Sequence, residues 1–222
     1  WLPKGFTPAA TTASAAGSFM FGEAVKTPQW WMLWAMLGLN ISAGLGLISQ
    51  LSPISQELYK PLVDPSLTGE AVVKALAVAG GAVVAYSAIF NGLGRLFWAS
   101  FSDKIGRKAV FATMFITQAA LYILVGMGII GSYWLFMVIA CYLLACYGGG
   151  FATMPAFCAD SFGPAYVGKV YGFMLTAWGV AGIAGPLVFA ALPKQALYIA
   201  AVLLLIGFCI TLMFKPPAAK KA

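Results

Sequence analysis

Ser87, Asn91 and Arg95 recur at four-residue spacing inside a long apolar segment. On a helix that spacing puts all three on one slowly drifting stripe. A charge inside a membrane span is costly, so it marks a ligand site or pathway by default. Arg95 stands about two turns before Asp103, roughly 12 Å along a helix axis. That depth makes full escape to the membrane surface hard, although partial snorkelling is open to a long side chain. A guanidinium offers a planar fork that fits a carboxylate in two parallel hydrogen bonds. The expected chemistry is therefore capture of a small carboxylate anion. The competing expectation is an ion pair from Arg95 to Asp103 or Asp160 that locks one conformation.

Such a stripe needs a membrane-spanning scaffold, and the composition supplies one. The chain of 222 residues is 62% hydrophobic and only 9% charged, against about 25% charged in soluble domains. Six apolar segments, near 29–51, 72–100, 108–130, 133–156, 166–191 and 195–214, are each long enough to cross hydrocarbon as a helix. They are too long for barrel strands, which alternate in polarity over about 10 residues. The expected organisation is a linker over 1–28, a six-helix bundle over 29–214 and a basic tail over 215–222. Within the linker, 17–26 reads as a short surface helix with Phe19, Met20 and Phe21 toward lipid. Thr27 and Pro28 suit the cap and first position of the first span.

The net charge of +7 sits in short connections and the tail, as membrane orientation requires. Nucleic acid is thereby excluded as a partner. The 103–108 turn, the tail and the leading segment are net basic and fall on one side of a six-span chain. The first connection, with Glu57, Asp64 and Glu70 against Lys60, falls on the other. The positive-inside rule then puts both termini in the cytoplasm. There is no histidine, and the cysteines lack metal-ligand spacing. No metal, no cofactor and no catalytic residue is expected.

Other residues can shape the pathway. Tyr171, Leu175 and Trp178 share one face of the fifth span, and Tyr147 and Phe151 share a face of the fourth. Both faces can cage a small anion, or simply pack and anchor at the interface. Asn40 in the first span is a further ligand candidate, with a role as glue between helices equally open. Gly148, Gly149, Gly150 and Pro155 interrupt the fourth span. Gly168, Gly172, Gly179, Gly182, Gly185 and Pro186 run through the fifth. These read as sites of close helix approach and bending.

The motif Ala99-Ser-Phe-Ser-Asp103-Lys104-Ile-Gly106-Arg107-Lys108 resembles the loop signature of the major facilitator superfamily, with Ala99 in place of the usual leading glycine. Gly46-Leu-Ile-Ser-Gln-Leu-Ser-Pro53, Tyr147-Gly-Gly-Gly-Phe-Ala-Thr-Met-Pro155 and Tyr171-Gly-Phe-Met-Leu-Thr-Ala-Trp-Gly179 are similar to its oxalate/formate antiporter branch. The resemblance implies helices 7 to 12 of a twelve-helix carrier, an all-α fold whose N-terminal six-helix half precedes Trp1. It implies a substrate-facing role for Arg95. It also implies that Asp103, Lys104, Gly106, Arg107 and Lys108 latch the cytoplasmic ends in one state. The branch is expected to carry a lysine where Trp178 stands. One cation suits a monocarboxylate such as formate, lactate or pyruvate better than oxalate. The expected location is the cytoplasmic (inner) membrane of a bacterium, with membrane lipid as surroundings. The alternative function is a non-transporting subunit of a larger membrane complex.

Overall fold

The computed structural model describes residues 17–218. A short turn of helix, α1 (Phe21–Ala24), leads into α2 (Pro28–Tyr59), which ends in a 3₁₀ turn, Lys60–Leu62. Then follow α3 (Glu70–Ile105), α4 (Arg107–Gly126), α5 (Tyr133–Phe162), α6 (Val167–Met174), α7 (Thr176–Ala191) and α8 (Ala196–Met213). With α6 and α7 taken as one broken span, six helices among the described residues are long and apolar enough to cross a membrane.

Local chemistry sets the boundaries. The Thr27 hydroxyl accepts the Trp30 amide at 3.3 Å, and Pro28 occupies the first position of α2. Ser132 caps α5 through the Leu135 amide at 3.5 Å. Gly106 joins α3 to α4 at φ +89°, a conformation that side-chain-bearing residues rarely adopt. Asp64 accepts the Ser66 amide at 2.8 Å in the first connection. That hydrogen bond favours the carboxylate and holds its pKa below the usual value.

Several helices overrun the apolar segments read from the sequence. The 36 residues of α3 reach about 54 Å at 1.5 Å each, against about 30 Å of hydrocarbon. Apolarity marks the part of a helix inside lipid, while the backbone ladder continues into the interface. Glu70, Asp103 and Lys104 are thus helical residues at the ends of α3. The third span runs the other way and stops at Gly126, short of the expected 130.

The leading segment also differs from expectation. Its helix is one turn only, and Phe19 and Phe21 turn toward protein. Phe19 meets Phe162 edge-on at 5.9 Å, and Phe21 stacks on Phe173 at 4.1 Å. Met20 alone of the three stays exposed. Residues 1–16 and 219–222, with most of the expected linker and the end of the tail, lie outside the described residues.

In the bundle, α2 is central and packs against α3, α5, α7 and α8; α3 lies along α5, and α4 along α8. Lipid-exposed helices gain little from apolar burial, so tight approach of small residues carries the packing. A Cβ on Gly94 would strike the Ala145 carbonyl, and one on Gly148 the Asn91 carbonyl. One on Gly185 would strike the Ser42 carbonyl. By contrast, a Cβ on Gly168, Gly172 or Gly179 meets nothing. Those three are therefore not packing points within this bundle, contrary to the small-residue pattern.

Candidate functional site

Pro155 decides the local geometry of the site. Having no N–H, it cannot take the helical hydrogen bond that the Phe151 carbonyl would otherwise accept. The Tyr171 hydroxyl approaches that carbonyl instead, at 3.5 Å, a long and weak contact. The Arg95 guanidinium carbon lies 6.0 Å from the centre of the Phe151 ring, within reach of a cation–π attraction. Residues from α3, α5 and α6 thus meet: Arg95, Phe151 and Tyr171.

Arg95 is exposed on the surface of this bundle and has no ion pair among the described residues. The two carboxylates expected to compete for it are both held by Arg107. Its Nη1 is 2.5 Å from Asp103 Oδ1, and its Nε donates to Asp160 Oδ2 at 3.1 Å. A further N–H of Arg107 donates to the Ser102 hydroxyl. The expected locking pair from Arg95 to Asp103 or Asp160 is therefore absent. Arg95 keeps its donors open for an anion.

One turn deeper, Asn91 is partly buried, and its Oδ1 is enclosed without a hydrogen-bond partner among the described residues. It lines a cleft of about 90 Å³ between α2, α3 and α5, together with Ile48, Leu51, Val84, Ser87, Ala88 and Leu144. The missing side chain of Gly148 gives Asn91 room against α5.

Asn40 is placed differently from its ligand role. It is 1% exposed and knots three helices together. Its Oδ1 accepts from Gln118 Nε2 of α4 at 3.0 Å, and its Nδ2 points to the Cys146 carbonyl of α5 at 3.5 Å. This is the glue role that an amide in a span can take. Tyr147 is also turned inward, 8% exposed, against the bare α-carbon of Gly44. It packs on α2, whereas Phe151 of the same helix face lies beside Arg95 of α3. Trp178 is 50% exposed, and Leu175 sits at the α6–α7 break. Among the described residues neither side chain makes a ring or hydrogen-bond contact with the Arg95 group; Leu175 reaches it only through its backbone amide, which donates to the Tyr171 carbonyl at 3.1 Å.

In the 103–108 turn, Lys108 Nζ donates to the carbonyls of Leu212 (2.7 Å) and Phe214 (3.0 Å). It thereby caps the negative end of α8. Lys104 is exposed. Sequence reasoning missed Gln118 and the indole anchors. Trp30 Nε1 donates to the Val170 carbonyl at 3.2 Å, and Trp34 Nε1 to the Thr176 hydroxyl at 2.9 Å. These bonds fasten α2 to α6 and to α7, one on each side of the break. An amide inside an apolar span flagged Gln118 as clearly as Asn40; nothing in the sequence flagged the indoles.

Residues 29–222 match the model of the Major Facilitator Superfamily. A curated relative, the oxalate:formate antiporter of Oxalobacter formigenes, is 30% identical over 172 residues. The match covers 75% of this chain and 36% of the relative, so the chain spans about a third of that protein's length.

Proposed function

The chain belongs to the major facilitator superfamily, and from that premise we propose that it forms half of a secondary transporter for small carboxylate anions. The substrate crosses by alternating access, between this six-helix half and a second one. Both termini of this half face the cytoplasm, in keeping with the basic end formed by Lys26, the 103–108 turn and Lys215. The 103–108 turn latches that end in one state.

The observation that carries the reading is the free guanidinium of Arg95. Among the described residues it is the one charge deep in a span, and Asp103 and Asp160 are both paired with Arg107. A charge left unpaired there is poised for a ligand of opposite sign. Phe151 and Tyr171 supply an aromatic wall and a hydroxyl beside it. Asn91 lies one turn deeper, partly buried, and its amide nitrogen is the group that can donate to an anion. Asn40 and Tyr147 support these helices from behind.

The size of the anion follows from charge. This half offers one cation, and Trp178 stands where a second is expected. Enclosing a second carboxylate without a partner costs several kcal/mol. A monocarboxylate of the formate, lactate or pyruvate kind fits better than a dicarboxylate. The relative's name, an oxalate:formate antiporter, supports anion exchange and includes one such monocarboxylate.

The test is uptake of labelled formate, lactate, pyruvate and oxalate into proteoliposomes holding the complete coding product, with and without internal counter-anion. Saturable uptake of a monocarboxylate, lost in folded Arg95→Gln, is expected. Uptake that survives Arg95→Gln unchanged would remove Arg95 from the site.

A further inference from the structure

A second pocket lies at the basic end of the bundle, away from Arg95. It holds about 490 Å³ between α1 and the start of α6, and Lys26, Tyr166 and Lys169 line it with Phe21 and Glu23. Lys26 and Lys169 are exposed and have no carboxylate partner among the described residues. The Glu23 carboxylate is turned back to accept the Met20 amide at 2.9 Å.

Below this pocket an apolar groove of about 330 Å³ opens between α7 and α8, with α2 as its floor. Trp34 and Gly38 of α2, Ala177 and Val180 of α7, and Ile206 and Ile210 of α8 line it. The groove exists because α7 and α8 barely touch while both pack on α2.

The pocket sits where the chain enters α2 and α6, and the groove lies further along α2 and on α7, the continuation of α6. Lys169 and Phe173 follow at four-residue spacing on α6, and Ala177 lies just past the break, at the start of α7. Trp31, Trp34 and Gly38 follow at three- and four-residue spacing on α2, with Trp31 and Trp34 in ring contact at 5.9 Å. Phe173 stacks on Phe21 of the pocket and Trp31 touches Trp34 of the groove, and both are about half exposed.

We propose that this seam is a binding site for an anionic phospholipid. Its phosphate sits between Lys26, Lys169 and the Tyr166 hydroxyl, and an acyl chain lies in the groove on Gly38. Charge complementarity selects the head. The apolar groove, which lies within the membrane-spanning part, selects a tail. A soluble phosphate would leave the groove unused, and a neutral lipid would leave two lysines unmet.

The complete coding product is delipidated, returned to micelles of phosphatidylglycerol and phosphatidylcholine, and its retained lipids are counted by native mass spectrometry. Phosphatidylglycerol should be retained over phosphatidylcholine. Lys26→Gln and Lys169→Gln should each lower that retention about five-fold, and Lys194→Gln, at the other end, should not. Val180→Trp, which fills the groove from an exposed position, should lower retention with the lysines intact. Glycerol phosphate, a head without a tail, should not displace the lipid. Circular dichroism confirms that each variant is folded. The proposal falls if the two lipids are retained equally, or if the folded double lysine variant keeps its phosphatidylglycerol. It also falls if glycerol phosphate displaces the lipid. Unchanged retention in Val180→Trp overturns it too, and would point to the other half of the carrier as what covers the groove.

Discussion

Replacing Asn40 by leucine separates the two roles that an amide in a span can have. If Asn40 only ties helices together, the cost appears in stability. One sound hydrogen bond is lost, from Gln118 Nε2 at 3.0 Å, together with the marginal contact to the Cys146 carbonyl at 3.5 Å. Gln118 is not stranded, because its amide nitrogen also donates to the Met114 carbonyl at 3.0 Å. The loss therefore belongs near the measured range for hydrogen bonds between membrane helices, about 0.6 to 1.7 kcal/mol. It stays below the roughly 3 kcal/mol at the upper end for an orphaned buried group. The double variant Asn40→Leu/Gln118→Leu should lose less than the sum of the singles, because the second change also removes the unpaired Gln118 Oε1. The assay is reversible unfolding of the complete carrier in mixed micelles, beside the KM for uptake of the preferred acid. A coupling of about 1 kcal/mol between the two sites with KM unchanged is the expected result. A large rise in KM for Asn40→Leu with unaltered stability would refute the reasoning and return Asn40 to the substrate path.

Further outcomes follow from the same geometry. Arg95→Lys keeps the charge and loses the planar fork, so it should retain weak uptake with a raised KM, where Arg95→Gln has none; equal activity of the two would exclude a charge role. Trp178→Lys adds a second cation and should raise oxalate uptake relative to formate in a competition assay. Gly94→Leu should abolish folded yield, because its side chain would enter the Ala145 backbone. Gly179→Ala, facing open space, should be neutral or stabilising by up to about 1 kcal/mol in thermal unfolding.

The spans were legible because lipid demands uninterrupted apolarity from a helix, and Arg95 was legible because it breaks that rule. Helix ends were harder to read. Glu70 and Lys104 are polar for the interface yet helical in backbone, and composition reports only the first property. The partner of Asp160 was not legible at all. Arg107 lies 53 residues away, and no local pattern distinguishes it from Arg95 as the cation to be matched. Asn40 shows the same limit. Its residue type announced a polar contact inside the membrane, but whether that contact is a ligand or Gln118, 78 residues on, depends on how the helices rotate. The Pro155 effect was half legible: the sequence marks a break, and only the fold shows that Tyr171 approaches the freed carbonyl.

Arg107 also sets how strong the proposed latch at the 103–108 turn can be. Arg107 is only 18% exposed, but its partners Asp103 and Asp160 are 66% and 58% exposed. Each pair is therefore closer to a surface ion pair, worth about 0.2 to 1 kcal/mol, than to a buried one. Asp160→Asn removes the tie between the start of α4 and the end of α5, while Asp103 and Ser102 still hold Arg107. The expected shift between the two access states is then at most about five-fold, and it should shrink further at high salt. Uptake should slow or quicken modestly, and labelling of a cysteine introduced at the exposed Pro164 should change by the same factor. Complete loss of transport in folded Asp160→Asn would contradict this. It would mean that Asp160 makes a stronger contact across to the other half, or that freed Arg107 competes with Arg95 for the anion. Adding Arg107→Gln to Asp160→Asn distinguishes these outcomes. Recovery of uptake would identify the stray guanidinium as the cause, and continued loss would assign the defect to Asp160 itself.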